Sequence, residues 1–243
     1  MVLRLVLPAL ALAPFAGAQT SPLPPRESLS YSIEWRLITA GKVRLDWQQE
    51  RTGAEIAVHV ESVGLVSKFF HVEDDYRATL NQSLCTETSH LTSHEGNRSR
   101  DTRITYDGAG HKASYLERDL AKNSVLAQQE IEIPACVHDI VGGLFFLRTL
   151  NLEPGQSTTV PVSDGKKSAM AKIEAQQRED IKTAAGTFHT IRYEAYVFNG
   201  VLYNRPAHLN FWLTDDRRKL PVQIRVRMQF TIGTITLQLE KNE

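Results

Sequence analysis

The chain of 243 residues has no long hydrophobic run beyond its N-terminal segment. A helix that spans a bilayer needs about 20 consecutive apolar residues, so we expect that the protein is not an integral membrane protein. Charge of one sign is not in excess either, because 28 Lys and Arg residues stand against 28 Asp and Glu residues. Proteins that bind nucleic acid or anionic membrane surfaces are usually basic, and we therefore predict no nucleic acid partner.

Sequence motifs of common catalytic and cofactor sites are also missing. There is no G-x-S-x-G, no H-E-x-x-H, no phosphate-binding P-loop and no G-x-G-x-x-G. His90 and His94 could share one face of a strand, but they would lie about 13 Å apart, too far to hold one metal ion. The adjacent carboxylates Asp215 and Asp216 would point to opposite faces of a strand, and they fit a charged turn better. We predict no catalytic residue, no metal site and no cofactor.

The first residues, by contrast, carry the pattern of a secretory signal peptide. Arg4 supplies a positive start, an apolar stretch follows, and Ala16-Gly17-Ala18 is an A-x-A cleavage pattern. We expect residues 1–18 to be removed, with a retained N-terminal anchor as the alternative. Residues 19–28, rich in Pro and Ser, are predicted to form a flexible lead-in. Residues 29–243 then remain as a single β domain.

Only two cysteines occur, Cys85 and Cys136. An even number of cysteines in an exported protein favours a disulfide, because the compartments outside the cytoplasm are oxidising. A reactive thiol beside His138 is the alternative. We predict a Cys85–Cys136 disulfide, which would close a loop of about 50 residues and contribute ~3–4 kcal/mol in the chain-entropy model.

Most of the remaining sequence alternates between apolar and polar residues, as half-buried strands do. Leu29, Tyr31, Ile33 and Trp35 alternate with polar residues, and the same pattern recurs between short turns along the chain. Short turns join antiparallel neighbours, whereas parallel strands would need helices between them. We predict an all-β protein of about twelve to fourteen strands, and a sheet of that size must curl to bury one face. The expected architecture is a large antiparallel curved sheet or an incomplete β-barrel.

One short helix is predicted over residues 139–150. Asp139 can serve as its N-cap, and apolar residues follow at helical spacing. Gly142 and Gly143 lower the helix propensity by about 1 kcal/mol each, which a close approach to another backbone would explain. We expect this helix to pack on the concave side of the sheet.

A curved sheet of this size leaves room for an apolar ligand between the helix and the strands. We therefore consider a lipid-like or hydrophobic ligand as a partner. The alternative is that the aromatic side chains simply fill the core. The aromatic residues predicted to line such a cavity are Trp35, Trp47, Phe145, Phe146 and Trp212.

Arg225 and Arg227 share the polar face of the longest amphipathic strand, residues 220–232. Two positions apart on a strand, they lie about 7 Å from each other. If that face points outward to open solvent, the two side chains are solubilising. If it faces a wet cavity, they are the best candidates in the chain for contacts with an anion.

Several motifs occur in an order that resembles one protein family. They are ESLSYSIEWRLITAGKVRL, VESVGLVSKFFHVEDDYRATL, HDIVGGLFFLR, AAGTFHTIRYEA and FWLTDDRRKLPVQIRVRMQFTIGTITLQL. Along nearly the whole mature chain, the sequence resembles the bacterial exported proteins of domain-of-unknown-function family 3108. The resemblance implies an exported all-β protein in the periplasm of a Gram-negative-type bacterium, and it implies no reaction.

Three functions remain open at this point. The first is a non-enzymatic exported protein that binds a hydrophobic ligand or an envelope protein, and we favour it. The second is an enzyme acting on cell-envelope glycans or lipids, which would need at least two perturbed ionisable groups in one cleft. The third is a structural or assembly factor that offers an exposed apolar patch or a free strand edge.

Overall fold

The structure, a computed structural model, describes residues 23–228 and 233–242. The predicted signal peptide, residues 1–18, lies outside the described residues, and so do the first four residues of the lead-in. Residues 229–232, the end of the predicted C-terminal amphipathic strand, lie outside as well. The first strand begins at Arg26 rather than at Leu29, and the side chain of Leu23 is already buried in the core.

The described part of the chain forms fourteen strands and two helices. The helices are α1 (Gly64–Phe69) and α2 (Ile140–Arg148). The strands are β1 (Arg26–Trp35), β2 (Ile38–Gln49), β3 (Gly53–Ser62), β4 (Val72–Asn81), β5 (Thr86–Glu95), β6 (Arg98–Asp107), β7 (Lys112–Asp119), β8 (Ser124–Glu132), β9 (Ser157–Ser163), β10 (Ser168–Thr183), β11 (Gly186–Tyr196), β12 (Ala207–Thr214), β13 (Pro221–Met228) and β14 (Thr234–Asn242).

All of these strands join one sheet in the order β8-β7-β6-β5-β4-β3-β2-β1-β14-β13-β12-β11-β10-β9, and neighbouring strands are antiparallel. Strands β1 to β8 follow one another outward from the centre of the sheet to one edge. Strands β9 to β14 return from the other edge, so that β1 and β14 pair in the middle. The predicted all-β antiparallel architecture is confirmed.

The segment between β8 and α2 connects the two edges of the sheet. His138 in this segment forms a parallel bridge with β9. Its N–H donates to the carbonyl of Pro161 (3.0 Å), and its carbonyl accepts from the N–H of Ser163 (2.9 Å). The sheet is therefore curved far enough for one short segment to span the gap between its edges, as in an incomplete barrel.

Helix α2 is the predicted helix, and it packs on the concave face of the sheet. Phe145 is fully buried in a core cluster with residues of β1, β2 and β3, whereas Leu147 belongs to a cluster formed with β9, β10, β11 and β12. The helix therefore joins the two halves of the core. Helix α1 was not predicted, because it has only six residues, none of them buried, and no side-chain cap.

Candidate ligand-binding site

The N-terminus of α2 is held by Asp139, which is buried and acts as the predicted N-cap. Its carboxylate accepts hydrogen bonds from the N–H groups of Val141 (3.0 Å) and Gly142 (3.2 Å). It also accepts from the hydroxyl of Thr86 on β5 (2.8 Å) and from that of Tyr76 on β4. A buried carboxylate needs this many donors to offset its desolvation. The same four bonds fasten the start of the helix to the sheet.

The C-terminal end of α2 is held by an ion pair in the protein interior. The Arg148 side chain is fully buried, and its Nη1 and Nη2 atoms lie 2.6 Å and 3.1 Å from the carboxylate oxygens of Glu27 on β1. Nη2 also donates to the carbonyl of Arg218 (3.2 Å) in the turn between β12 and β13. Because both of its ends are anchored, α2 is held in a fixed position against the sheet.

Between α2 and the sheet lies an apolar cavity of about 200 Å³, which we call the helix cavity. The hydroxyl of Tyr31 is turned away from it and donates to the carbonyl of Pro221 (2.7 Å). The walls of the cavity are therefore almost entirely hydrocarbon. The lining includes Tyr31, Val58, Ile140, Leu144, Phe211 and Leu237.

A second apolar cavity, of about 400 Å³, lies beside α1, and we call it the end cavity. On β1 and β3, the residues that line it are the next inward-facing residues after those that line the helix cavity. On β1 the lining passes from Tyr31 to Ile33, and on β3 it passes from Val58 to Val60. Residues two apart on a strand face the same side, so the two cavities are adjacent on one surface. Together they form what we call the apolar trough.

Large apolar side chains are exposed around the outer end of the trough. In α1, Leu65 is 66% exposed and Phe69 is 87% exposed. Phe70, which lines the end cavity, is itself about half exposed. Clustered exposed apolar residues of this size mark an interaction or ligand-binding surface more often than single ones do.

The five aromatic residues predicted as cavity lining are dispersed by the structure. Trp35 lines the end cavity. Trp47 and Phe145 are buried and stack on each other, with ring centroids 4.5 Å apart. Phe146 stacks on His138 (4.4 Å), whereas Trp212 is buried and lines a polar cavity instead of an apolar one. The aromatic rings at the helix cavity are those of Tyr31 and Phe211, which are not among these five.

Arg225 and Arg227 lie on the convex face of the sheet, and they do face a cavity there. This cavity, which we call the polar groove, has a volume of about 670 Å³. It is lined by side chains of β1, β10, β11, β12, β13 and β14. The guanidinium of Arg225 lies over the ring of Trp212, with Cζ 5.1 Å from the centroid.

The predicted disulfide joins Cys85 to Cys136, 51 residues apart in the chain. It ties the β4–β5 turn to the segment that precedes α2, so the alternative of a reactive thiol does not apply. His138 is buried beside it, and its Nδ1 lies 2.9 Å from the carbonyl of Leu84. Burial lowers the pKa of His138, although the contact with the Leu84 carbonyl opposes that change.

Ionisable groups meet in a further cavity of about 400 Å³, lined by Tyr76, Tyr106, Asp139 and Lys166 among others. Burial and the nearby Asp139 carboxylate raise the pKa of both tyrosines, so these hydroxyls stay protonated. Burial alone would lower the pKa of Lys166, but its contacts with Tyr115 and Glu117 raise it instead. The raised pKa values keep the two tyrosine hydroxyls and the Lys166 ammonium protonated, and Asp139 already accepts four hydrogen bonds. The hydrogen bonds of Tyr76 and Thr86 to Asp139 hold the start of α2 against the sheet.

In the adjacent acidic pair and in the histidine pair of the sequence, the two side chains contact different partners. Asp215 contacts Arg178 (2.7 Å), whereas Asp216 accepts from the N–H groups of the β12–β13 turn. His90 contacts Asp101, and the Nδ1 of His94 lies 2.9 Å from the hydroxyl of Ser99. Among the described residues, no three His, Cys, Asp or Glu side chains form a group that could hold a metal ion.

The Gly142 environment corrects one expectation about α2. A Cβ atom at Gly142 would lie 2.6 Å from Asp139 Oδ1 and 2.9 Å from Thr86 Oγ1. The close approach that requires glycine is therefore to side chains, not to another backbone. At Gly143 the nearest atom to such a Cβ would be the Cβ of His138, at an ordinary 3.7 Å.

Within the part of the chain that the structure describes, no helix has the length and apolar character of a membrane-spanning segment. The family model described as "Protein of unknown function (DUF3108)" matches residues 30–240. No curated protein sequence matches the chain.

Two solved structures match most of the chain. A beta-barrel-like protein of the DUF1849 family from Brucella abortus is 7% identical with a TM-score of 0.57, and the match covers 90% of this chain and 97% of that one. A presumed exported protein with a YmcC-like fold from Bacteroides fragilis is 8% identical with a TM-score of 0.38, over 91% and 97% of the two chains. At such low identity the first similarity shows the fold alone.

Proposed function

The chain belongs to the family of proteins of unknown function DUF3108, and we propose that it is an exported, non-enzymatic protein that binds the apolar chain of a lipid-like ligand in the apolar trough. The observation that carries this proposal is the helix cavity, an unfilled apolar space beneath a helix that is anchored at both ends. Export is supported by the signal-peptide pattern of residues 1–18.

The size and lining of the trough suit a hydrocarbon chain. An apolar cavity of ~150 Å³ in another protein stays dry and binds benzene, so the helix cavity, at about 200 Å³, has room for an apolar group of at least that size. The end cavity adds about 400 Å³ on the same face. Together they reach the range of ~300–1,000 Å³ that is usual for small-molecule sites.

The two ends of the trough differ in a way that suits uptake of a chain. The inner end is covered on one side by α2, which Asp139 and Arg148 hold against the sheet. The outer end is bordered by α1, where Phe69 and Phe70 are exposed. An apolar chain would therefore pass from the α1 end, along Ile33 and Val60, to the helix cavity. This path rests on the proposed ligand class.

The test is binding of hydrophobic probes to the purified mature protein. Native mass spectrometry would identify any lipid that co-purifies, and the fluorescent probe N-phenyl-1-naphthylamine would be displaced by fatty acids of increasing length. Gly143 has room for a side chain at the wall of the helix cavity. We expect Gly143→Leu to weaken probe binding by about tenfold or more, as the loss of ~1.4 kcal/mol of apolar contact would do.

Gly143→Ala is the matched control, because one methyl group fills little of the cavity. It should bind the probe nearly as the parent protein does. If the probe binds Gly143→Leu as tightly as the parent, or does not bind either protein, the helix cavity is not a ligand site. Capture of a protein partner without any lipid would favour the envelope-partner function instead.

A further inference from the structure

We propose that the polar groove on the convex face is a second binding site, one that takes a phosphate group through Arg225 and Arg227. This inference is independent of the apolar trough, since the two sites lie on opposite faces of the same strands. Ile224 faces the helix cavity, and Arg225, the next residue, faces the polar groove.

The first observation is that the two arginines are left without acidic partners. Among the described residues, neither Arg225 nor Arg227 has a side-chain hydrogen bond or an ion pair. Arg225 instead makes a cation–π contact with the ring of Trp212. Most arginines of the same sheet are paired: Arg77 contacts Glu55, and Arg178 contacts both Glu153 and Asp215.

The strand register explains why these side chains are unpaired. Arg225 stands opposite Asn210 of β12 and Thr236 of β14. Arg227 stands opposite His208 and Thr234. Cross-strand neighbours of a charged residue are commonly of opposite charge, but here they are neutral polar groups or histidine. The neighbouring side chains therefore do not neutralise the positive charge of the two arginines, and they add further hydrogen-bond donors beside them.

The acidic residues of the groove are already engaged elsewhere. Glu194 contacts the ring of His208 (2.8 Å) and accepts from the amide of Gln176 (2.8 Å). Glu34 accepts from the amide of Gln238 (2.9 Å). Four arginines and two glutamates line the groove, and one of the arginines, Arg192, contacts Glu179 (3.7 Å). The excess of positive charge therefore lies at Arg225 and Arg227. A concave surface with excess charge concentrates ions of the opposite sign.

The spacing of the two guanidiniums favours phosphate over carboxylate. A carboxylate has two oxygens and is satisfied by one guanidinium in a bidentate pair. Two arginines about 7 Å apart along a strand instead offer ten N–H donors to one anion. A phosphate group has enough oxygens to accept from both, with the hydroxyl of Thr234 or the amide of Asn210 as a further donor. Arg225 is half-buried over Trp212, which holds its guanidinium in place and reduces its hydration.

The test is titration of the purified mature protein with inorganic phosphate and with glycerol 3-phosphate, followed by isothermal calorimetry and tryptophan fluorescence. Because Arg225 covers Trp212, an anion that binds the guanidinium should change the emission of this tryptophan. We expect saturable binding, weakened about tenfold or more in Arg225→Gln and in Arg227→Gln. The fluorescence change should disappear in Trp212→Phe, while calorimetric binding to that variant persists.

Arg77→Gln is the matched control, because Arg77 is also exposed on the sheet but is paired with Glu55. It should bind phosphate as the parent protein does. Vesicles of phosphatidylcholine with and without phosphatidylglycerol separate the two sources of a phosphate group. Binding of the free phosphates indicates a soluble ligand, and binding only to vesicles that contain phosphatidylglycerol indicates a lipid headgroup.

Either of those results supports the proposed site, provided that Arg225→Gln or Arg227→Gln weakens the binding. The proposal is overturned if neither probe binds, if sulfate and chloride compete as well as phosphate does, or if both arginine variants bind like the Arg77→Gln control. Far-ultraviolet circular dichroism of each variant verifies that the sheet is retained. Arg227 is exposed, so its substitution should leave the fold intact.

Discussion

Arg148 of α2 and Glu27 of β1 form a doubly hydrogen-bonded ion pair in the protein interior, with contacts of 2.6 Å and 3.1 Å. The pair joins the first strand to a helix in the middle of the sequence, 121 positions apart. The Arg148 Nε atom is buried and has no hydrogen-bond partner among the described residues. The pair therefore sets where the helix lies, at a cost in desolvation that the contacts only partly offset.

Breaking this pair on one side should be strongly destabilising. In Glu27→Gln the Arg148 charge stays buried without a carboxylate, and we expect the free energy of unfolding to fall by ~3–5 kcal/mol. In the double variant Glu27→Met with Arg148→Met no charge is stranded, and the loss should be much smaller. Urea unfolding followed by circular dichroism measures both. Arg77→Gln, which breaks an exposed pair, should change stability by less than ~1 kcal/mol. Equal losses in the single and double variants would contradict this account.

The two adjacent glycines of α2 should respond to alanine in opposite directions. Gly143→Ala places a methyl group in ordinary contact with the Cβ of His138, at 3.7 Å, and removes the glycine propensity penalty, so we expect stabilisation of up to ~1 kcal/mol. Gly142→Ala forces a Cβ to within 2.6 Å of Asp139 Oδ1, which should destabilise the protein by ~1–3 kcal/mol. Thermal unfolding of the two variants side by side is the measurement. If the stability changed in the same direction in both variants, helix propensity and not side-chain packing would determine the effect of alanine.

Removal of the disulfide should lower stability without changing the fold. Its loop of 51 residues corresponds to about 4 kcal/mol in the chain-entropy model. We expect Cys85→Ala with Cys136→Ala to lower the free energy of unfolding by roughly that amount. The parent protein under reducing conditions should behave like the double variant. A loss below ~1 kcal/mol in denaturant titrations would mean that other contacts already restrict this loop in the unfolded chain.

His138 should make the protein less stable in mild acid. Its folded-state pKa is lowered by burial, so the folded protein disfavours the protonated ring more than the unfolded chain does. The stability linked to His138 is complete above the unfolded pKa of ~6.5 and is lost as pH falls through the folded pKa. The carboxylates of Asp101 and Glu117, whose pKa values are lowered by their hydrogen bonds despite burial, act only at lower pH.

The variant His138→Gln isolates this contribution. Its stability relative to the parent protein should be lowest at pH 8 and should rise as pH falls toward 5, because the parent alone loses the histidine contribution. Chemical denaturation at a series of pH values provides the comparison. A difference that stays constant across that range would sink the assignment to His138.

The exposed apolar residues of α1 should matter for ligand uptake and not for folding. Leu65 and Phe69 are largely exposed, so Leu65→Ser with Phe69→Ser should change stability by no more than ~0.5 kcal/mol. If an apolar chain enters at this end, stopped-flow uptake of a fluorescent fatty acid from phosphatidylcholine vesicles should be slower in the double variant. An unchanged rate would place the opening of the trough elsewhere. The equilibrium affinity, measured separately, tests the trough itself.

Local patterns in the sequence were sufficient for much of the fold. The alternation of Leu29, Tyr31 and Ile33 predicts a strand with one buried face, and Asp139 marks the start of α2. Both signals depend on residues close together in the chain, where strand and helix geometry repeat regularly. Helix α1 escaped prediction because it is too short to show a helical period.

The candidate sites were less predictable, because they depend on which distant residues the curved sheet brings together. The sequence by itself determined that Arg225 and Arg227 share a strand face and that two cysteines were available to pair. Only the tertiary structure decided that this face borders a groove and that Trp47 and Phe145 stack on each other instead of lining the helix cavity. The physical reason is that strand alternation specifies which side chains lie together, whereas sheet curvature and the placement of α2 arise from contacts between residues far apart in the chain.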